Sequence, residues 1–326
     1  MRVGVMMGGW NSEREVSMNS GSNVVTCLQT AGYDAVPLAL DTKDRDEKHL
    51  AARLKKARLD AAFIVLHGGY GEDGGIQTLL EKLDIPYTGS GPLACGLAMH
   101  KGCSKLVFEA NGIPTAPWQA WHRREFRPAR LAKELTLKLP IVVKPADSGS
   151  AVGVSIVRKP SELLTAFKTA FRESDWVMAE KFVPGVEITV GVLGREGLPV
   201  VEIVPQNEFY DYDAKYTPGK SEHLIPARLS ASVRRKAQQI AVAAGEALGC
   251  QDYYRVDMIV PAKGFRTLTP QVLEINTAPG FTGTSLFPES AKAAGISAAR
   301  LMRQLVTLAL KKKNKCRKGQ KACRAA

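Results

Sequence analysis

The stretch IVVKPADSGSAVGV, residues 141–154, joins an apolar run that ends in Lys144 to a turn of small residues. It predicts a β-hairpin with strands at Pro140–Pro145 and Val152–Val157. Small residues let backbone N–H groups approach phosphate oxygens closely, and Lys144 adds a positive charge beside them. The spacing is not that of a Walker A loop, which places Gly-Lys-Ser/Thr before a helix. Taken alone, the segment fits a phosphate-binding turn and a plain hairpin equally well.

Residues 1–95, upstream of this hairpin, alternate apolar strands with amphipathic helices. Such alternation predicts a parallel sheet that binds ligands at the carboxyl ends of its strands. Two of those ends carry glycines, Gly8-Gly9 and His67-Gly68-Gly69. The predicted strands are Arg2–Met7, Pro37–Leu40, Ala61–Leu66 and Pro86–Thr88, and the predicted helices are Glu13–Ala31, Leu50–Ala57 and Ile76–Leu83.

The remainder of the chain predicts two α+β units, residues 96–185 and 186–310, followed by a tail over residues 311–326. No repeat or low-complexity tract interrupts them. Besides the hairpin, the predicted strands are Val177–Phe182, Glu187–Leu193, Val200–Val204, Arg255–Val260 and Gln271–Ile275. The predicted helices are Leu97–Ala110, Glu162–Phe171, Ser232–Leu248 and Ser297–Leu310.

Two of these strands carry a pattern of polar side chains that fits a divalent cation. The period of two places Arg255 and Asp257 on one face of the first strand, and Glu274 and Asn276 on one face of the second. Two carboxylates and an amide oxygen suit Mg²⁺, which also takes phosphate oxygens and water. Single acids on strands are more often solvated or ion-paired, but two strands with the same pattern favour a metal site.

Three weaker signals lie elsewhere in the chain. Glu180-Lys181-Phe182-Val183, with Glu187 downstream, could present backbone groups to an adenine and a carboxylate to a ribose, or form a charged edge strand. Ser12 could cap the helix that begins at Glu13, and Glu13 could complement the helix dipole or hold an ammonium group. His67 lies at a strand end, where ligands bind, although a lone histidine is more often structural.

The bulk properties favour a soluble cytoplasmic protein. The chain has 326 residues, 45% apolar and 24% charged, and its apolar runs are too short to span a membrane. Six cysteines without a C-x-x-C pair favour reduced thiols over a zinc site or disulfides. Residues 311–326 contribute eight basic and no acidic residues to the net charge of +13. We expect this tail to be solvated and unstructured; weak binding to nucleic acid or lipid through charge stays open.

Taken together and in order, these residues resemble the D-alanine–D-alanine ligases of the ATP-grasp superfamily. The resemblance extends from residue 8 to about residue 290. It implies α/β and α+β architecture, with a Rossmann-like N-terminal (pre-ATP-grasp) domain over residues 1–95 and a two-part ATP-grasp fold over residues 96–310. The matching stretches are GGWNSEREVS, LHGGYGEDGGIQ, PYTGSG, KPADSGSAVGV, EKFVPGVE, FYDYDAKY, RVD and LEINTAPG.

The resemblance also implies an activity: ATP-dependent joining of two D-alanines for peptidoglycan synthesis, with two Mg²⁺ or Mn²⁺ ions and a homodimeric assembly. ATP would be bound by Lys101, Lys144, Ser148, Ser150, Glu180, Lys181, Val183, Glu187 and Phe209. The metals would be held by Asp257, Glu274 and Asn276. Catalysis would use Glu13, Ser150, Lys215, Tyr216, Arg255 and Gly280, and the amino acids would be bound by Glu13, His67, Ser285 and Leu286.

Two departures from the family pattern, and two rival interpretations, stay open on the sequence alone. His100 stands where relatives usually carry Asp, and the segment after Pro279-Gly280 lacks the more usual Met and His. One rival is an ATP-grasp ligase for a different pair of amino acids. The other is an inactive nucleotide-binding or basic nucleic-acid-binding protein, which the presence of all the predicted site residues disfavours.

Overall fold

The computed structural model of the chain describes residues 1–149, 151–205, 221–262 and 268–325. Its N-terminal part is the predicted parallel sheet, with β1 (Arg2–Gly8) lying between β2 (Asp34–Leu40) and β3 (Ala61–Ile64). Helices cover both faces, which is why β1 and β3 are nearly continuous apolar runs. One face packs on α1 (Arg14–Thr30), and the other on α2 (Glu47–Ala57) and α3 (Gly75–Lys82).

The central part is a four-stranded antiparallel sheet in the order β4-β7-β5-β6. The predicted hairpin is confirmed as β5 and β6, with Val142 paired to Ile156. Phe167 and Phe171 of helix α7 are buried against the sheet. The elements are α4 (Pro92–Met99), α5 (Lys101–Ala110), β4 (Trp118–His122), α6 (Leu131–Glu134), β5 (Ile141–Pro145), β6 (Ser155–Val157), α7 (Leu163–Glu173) and β7 (Trp176–Lys181).

The third part is a six-stranded antiparallel sheet in the order β11-β10-β8-β12-β13, with β9 paired to β8. Helix α8 buries Ala237, Ala241 and Ala244 against this sheet, and the small side chains allow close packing. The elements are β8 (Gly185–Leu193), β9 (Glu196–Gly197), β10 (Val201–Pro205), β11 (Ser221–Leu224), α8 (Ala231–Leu248), β12 (Tyr253–Pro261), β13 (Gln271–Asn276), α9 (Leu286–Ala293) and α10 (Ala298–Ala325).

Two predicted elements are wrong. The helix predicted over Leu97–Ala110 is two helices, α4 and α5, because His100 between them has an extended backbone with φ −92° and ψ 98°. The strand predicted over Pro86–Thr88 is reduced to one isolated bridge between Tyr87 and Ala62. The capping role considered for Ser12 is also not seen, since α1 begins at Arg14 and Glu13 occupies its N-cap position.

The last helix differs from the unstructured tail predicted over residues 311–326. Helix α10 packs its apolar face on α1 and continues through the basic segment to Ala325. Lys and Arg are good helix formers, so a helix started by buried residues can extend through them. Lys312 anchors the segment: its Nζ lies 2.7 Å from Asp252 Oδ2, donates to the carbonyl of Gly89 and stands 4.7 Å from the ring centre of Tyr87.

Candidate active site

The predicted metal ligands lie together on two neighbouring strands. Strands β12 and β13 pair antiparallel so that Arg255 is opposite Asn276 and Asp257 is opposite Glu274. The intervening Val256 and Ile275 are buried in the core on the other face. The period-two prediction is therefore confirmed, and the register brings all four polar side chains to one surface of the sheet.

Each of the two carboxylates has a cation beside it. Arg255 binds Asp257 with two parallel hydrogen bonds, 2.9 Å from Nε to Oδ1 and 2.8 Å from NH2 to Oδ2. Thr189 on β8 donates to Asp257 Oδ1 at 2.6 Å. Lys101 lies 3.3 Å from Glu274 Oε2 and also donates to the carbonyl of Ser148 at 2.7 Å. The strand surface thus carries alternating charges.

This donor set fits a hard divalent cation. Two carboxylates face each other across the strands, and the amide oxygen of Asn276 accepts from Ala278 N at 2.9 Å, which fixes the orientation of its side chain. The described residues contain no group of three or more His, Cys, Asp or Glu side chains that could hold a metal. A magnesium ion here would therefore complete its shell with phosphate oxygens and water, as Mg²⁺ commonly does.

A cavity of about 330 Å³ opens in front of these strands. Its wall includes Lys101, Ser148 and Glu274, and it also includes Glu13 and His67. The remaining predicted residues on its wall are Arg255, Asn276, Gly280, Ser285 and Leu286. The cavity therefore brings together ten of the predicted site residues from all three parts of the chain.

The cavity is closely packed around Glu13. Gly68 has a φ of 67° and lies so close that a Cβ there would overlap Glu13 Oε2. A Cβ on Gly149, in the turn after β5, would stand 3.9 Å from both carboxylate oxygens of Glu13. His67 Nε2 is 3.2 Å from Ser20 Oγ, and its Nδ1 is 3.8 Å from Glu72 Oε1. Two glycine-containing turns thus hold one carboxylate in place.

Gly280 and Ser285 lie next to each other beyond the strands. A Cβ on Gly280 would come 2.8 Å from Ser285 Oγ, so glycine leaves the backbone open at this point. Ser285 Oγ accepts from the backbone N–H of Thr282 at 2.8 Å. Leu286 follows as the first, buried residue of α9. The segment after Pro279 therefore forms a compact turn on the cavity wall.

The predicted nucleotide residues Lys144 and Glu180 form a buried cluster beside the cavity rather than part of its wall. Glu180 Oε2 lies 3.1 Å from Lys144 Nζ and 3.0 Å from Lys105 Nζ. Burial acts to raise the pKa of Glu180, but the two lysines together hold it below its ordinary value. Lys181 donates to the carbonyl of Lys138 at 2.9 Å, and Val183 and Glu187 are half-buried where β7 leads into β8.

Four predicted residues, Ser150, Phe209, Lys215 and Tyr216, lie outside the residues that the structure describes. One residue of the site was not predicted at all, namely Lys105. Its position four residues after Lys101 on α5, on the same helix face, is the sequence signal that could have indicated it.

Comparisons with known proteins agree with this geometry. A family model described as the D-ala D-ala ligase C-terminus matches residues 107–307, and the model of the N-terminus matches residues 41–90. The D-alanine–D-alanine ligase of Geotalea uraniireducens is 48% identical over 308 residues, which cover 94% of this chain and 95% of that protein. That of Carboxydothermus hydrogenoformans is 43% identical over 321 residues, covering 97% and 100%.

The chain belongs to the D-alanine–D-alanine ligase family.

Solved structures of this ligase family share the fold. The Bacillus anthracis D-alanine–D-alanine ligase complexed with ATP matches with a TM-score of 0.82 at 34% identity, covering 97% of this chain and 99% of that one. The Coxiella burnetii enzyme matches with a TM-score of 0.82 at 27% identity, covering 100% and 98%. The predicted ATP-grasp fold is thereby confirmed. None of the helices in the described part of the chain is long and apolar enough to cross a membrane.

The two departures from the ligase pattern have structural explanations. His100 does what an Asp can do at a helix start, because its Nδ1 accepts from the backbone N–H of Cys103 at 3.2 Å. Phe281, after Pro279-Gly280, is buried among Phe63, Tyr253 and Phe287 with ring centres 5.4 to 6.0 Å away. The ring of Phe281 is therefore part of the core behind the cavity.

Proposed function

We propose that this ligase uses ATP to join two D-alanines into D-alanyl-D-alanine, a peptidoglycan precursor, through an acyl-phosphate intermediate. The observation that carries the proposal is the single cavity wall shared by Glu13, Arg255, Gly280, Lys101 and Glu274. Glu13 supplies a carboxylate that can hold an ammonium group. Lys101 and Glu274 supply charges that suit a metal–nucleotide complex, and Arg255 adds a further positive charge to the same wall.

In the first step, a carboxylate oxygen of the first D-alanine attacks the γ-phosphorus of ATP, and ADP leaves. A carboxylate is a poor electrophile, and this transfer converts it to a reactive acyl phosphate. Glu13 would hold the ammonium group of that D-alanine. The carboxylate of the D-alanine would then point along the cavity toward Arg255. Lys101 and Lys144 would neutralise phosphate charge and orient the in-line transfer.

In the second step, the amine of the second D-alanine, having lost a proton, attacks the acyl carbon. The bond between the acyl carbon and the bridging oxygen then breaks, and inorganic phosphate leaves with that oxygen, which came from the first carboxylate. Arg255 and the backbone N–H of Gly280 would stabilise the oxyanion that forms, and one such donor is typically worth about 3 kcal/mol. Ser285 and Leu286 would receive the second D-alanine, and His67 would lie beside the first.

Asp257, Glu274 and Asn276 would hold the magnesium ions, or manganese in their place. When bound, the metal supplies positive charge to the β- and γ-phosphates. Ser148 contributes its carbonyl to the position of Lys101. By the family pattern, Ser150, Phe209, Lys181, Val183 and Glu187 would contact the nucleotide. Lys215 would reach the transferring phosphate, and Ser150 and Tyr216 would link by hydrogen bonds to Glu13 and close a loop that excludes water. The homodimer and the cytoplasmic location stay predictions.

Release of ADP with a panel of D- and L-amino acids, followed by mass analysis of the product, tests the proposal. We expect D-alanine to give the strongest ADP release and a product with the mass of the dipeptide. Glu274→Ala, which removes one metal ligand, should reduce the rate by at least a hundredfold. ADP release with a different pair of amino acids, and none with D-alanine, would instead support the rival ligase.

A further inference from the structure

Lys105 is a buried lysine beside the predicted nucleotide residues Lys144 and Glu180. Neither the family pattern nor the proposed mechanism gives Lys105 a role. Its side chain has no exposed surface, and it lies one helical turn after Lys101 on α5. Its Nζ and that of Lys144 approach the same carboxylate oxygen, Glu180 Oε2, at 3.0 and 3.1 Å. One negative charge is therefore shared between two positive ones.

The ammonium group of Lys105 has two hydrogen-bond acceptors in addition to its ion pair with Glu180. Besides Glu180, its Nζ donates to Thr115 Oγ1 at 2.5 Å and to the carbonyl of Ala116 at 3.4 Å. Thr115 Oγ1 in turn donates to the carbonyl of Val272 at 2.8 Å. Burial and the nearby charge of Lys144 lower the pKa of Lys105, while Glu180 acts in the opposite direction, in favour of the charged form.

These contacts connect Glu180 and its lysines to β13, the strand that carries two of the predicted metal ligands. Val272 lies on β13, and its backbone N–H donates to the carbonyl of Pro114 at 2.8 Å, so the segment around Thr115 is joined to the strand at two points. Glu274 follows Val272 by two residues and points to the cavity. The position of Glu180 is thereby fixed relative to the strand that carries the predicted metal ligands.

The sharing of Glu180 has an electrostatic consequence for Lys144. If Lys144 were the only partner of Glu180, the pair would be neutral, and an incoming phosphate would compete with a buried carboxylate for the lysine. Two charged lysines against one carboxylate leave a net positive charge in a buried position, where an anion is attracted more strongly than in water. Lys105 can satisfy Glu180 when Lys144 turns toward a phosphate.

We propose that Lys105 is a positioning residue of the nucleotide site, which holds Glu180 so that the charge of Lys144 remains available to the phosphates. The inference rests on the proposed function only in taking the nucleotide as the ligand. Lys105 itself touches no substrate.

The test is the affinity of the full chain for ADP with Mg²⁺, measured by isothermal titration calorimetry. The variants are Lys105→Met, Glu180→Gln and the double variant, with Lys82→Met as the matched control. Lys82 is an exposed lysine far from the site, and its partner Glu47 is also exposed. Circular dichroism establishes that each variant is folded at the temperature of the titration.

We expect Lys105→Met to raise the Kd for ADP about tenfold, while kcat at saturating ATP changes less than threefold. In the Glu180→Gln background, the same substitution should change the Kd less than twofold, because no carboxylate is left to hold Lys144. Unchanged ADP affinity in folded Lys105→Met would overturn the proposal. So would an equal loss in both backgrounds, since that would indicate a role in packing alone.

If Lys105→Met does not fold, Thr115→Val and Thr115→Ser provide the test. Valine removes the hydroxyl that anchors Lys105 and should weaken ADP binding about threefold, whereas serine keeps it and should bind ADP as the wild type does. Equal ADP affinity in both variants would contradict the role of Lys105. A wild-type chain that binds ADP but does not ligate D-alanine would contradict the proposed function and leave this inference standing.

Discussion

Asp257 and Glu274 stand directly opposite each other on antiparallel strands, the first bound by Arg255 and the second lying 3.3 Å from Lys101. Two like charges opposite each other destabilise a sheet unless cations offset them. Arg255 and Lys101 supply those cations, and a divalent cation bound between the strands would add further positive charge beside both carboxylates.

This relationship predicts a metal effect on stability. With ADP present, adding Mg²⁺ should raise the melting temperature of the wild type by several degrees, because a ligand that binds only the folded state stabilises it. Asp257→Asn and Glu274→Gln should each lose most of that rise in thermal unfolding. Asp175→Asn, at an exposed carboxylate paired with Arg123, is the matched control and should keep it. An undiminished Mg²⁺ effect in both site variants would refute this assignment of the ligands.

Gly68→Ala should damage the binding of the first D-alanine. The added methyl group would overlap Glu13 Oε2, so the carboxylate that is to hold the ammonium group must move. We expect the KM for D-alanine to rise at least tenfold and the Kd for ADP to stay within twofold. Gly112→Ala is the matched control. Gly112 has a φ of 66°, so alanine there imposes a similar backbone strain, but its Cβ would have no atom within 4 Å. Equal D-alanine KM values in the two variants would contradict the contact.

His100→Ala should destabilise the protein by about 1 kcal/mol, the typical value of an N-terminal helix cap. The reason is that the backbone N–H of Cys103 loses its acceptor, His100 Nδ1. His100→Asn keeps an acceptor but removes the ring that packs against Trp176, so it separates capping from the aromatic contact. Urea unfolding should place the Asn variant closer to the wild type than the Ala variant. Equal destabilisation of the two variants would show that the ring contact dominates.

Lys312→Met tests whether the C-terminal helix is anchored by its first basic residues. The substitution leaves Asp252 buried without its cation, although the backbone N–H of Gly89 still donates to Asp252 Oδ2 at 3.1 Å. Because Lys312 is partly exposed, we expect a loss of about 1–3 kcal/mol in unfolding free energy, less than for a fully buried pair. Lys311→Met is the neighbouring control and should have little effect. Equal stabilities for both variants would contradict the anchor.

The effect of Lys312→Met should depend on pH in a definite direction. Burial raises the pKa of Asp252 above its ordinary value, and Lys312 opposes that rise. Ionising Asp252 therefore costs stability as pH increases from about 4, the unfolded value, toward the folded pKa. The variant should fall behind the wild type as pH rises above the folded pKa of the wild type, since its own folded pKa is higher, with the smallest difference near pH 4 and the largest near pH 8. A difference that shrinks as pH rises would contradict the pairing.

Much of the site could be predicted because its chemistry follows from strand periodicity. Asp257 and Glu274 alternate with buried apolar residues, so their common face was evident before the register was known. The break at His100 was not evident, since Met99-His100-Lys101 reads as the middle of an apolar helical pattern. Lys105 was missed because a lysine in a helix is ordinarily solvated, and only the packed structure reveals that its charge is buried beside Glu180.

The contact made by the basic tail could not be predicted from the sequence for a different reason. Its composition alone favours a solvated segment, and nothing in residues 311–326 indicates a partner inside the protein. The partner is Asp252, whose burial depends on how the loop containing Gly89 packs against β12. Such a contact between distant parts of the chain has no local pattern.

The transfer of oxygen from D-alanine to phosphate tests the central claim most directly. D-alanine labelled with ¹⁸O in its carboxylate is incubated with ATP, Mg²⁺ and the enzyme, and the inorganic phosphate is analysed by mass spectrometry. Attack of the carboxylate on the γ-phosphorus predicts one ¹⁸O atom in each phosphate released, together with D-alanyl-D-alanine. Phosphate that contains no ¹⁸O while the dipeptide forms would contradict the acyl-phosphate route.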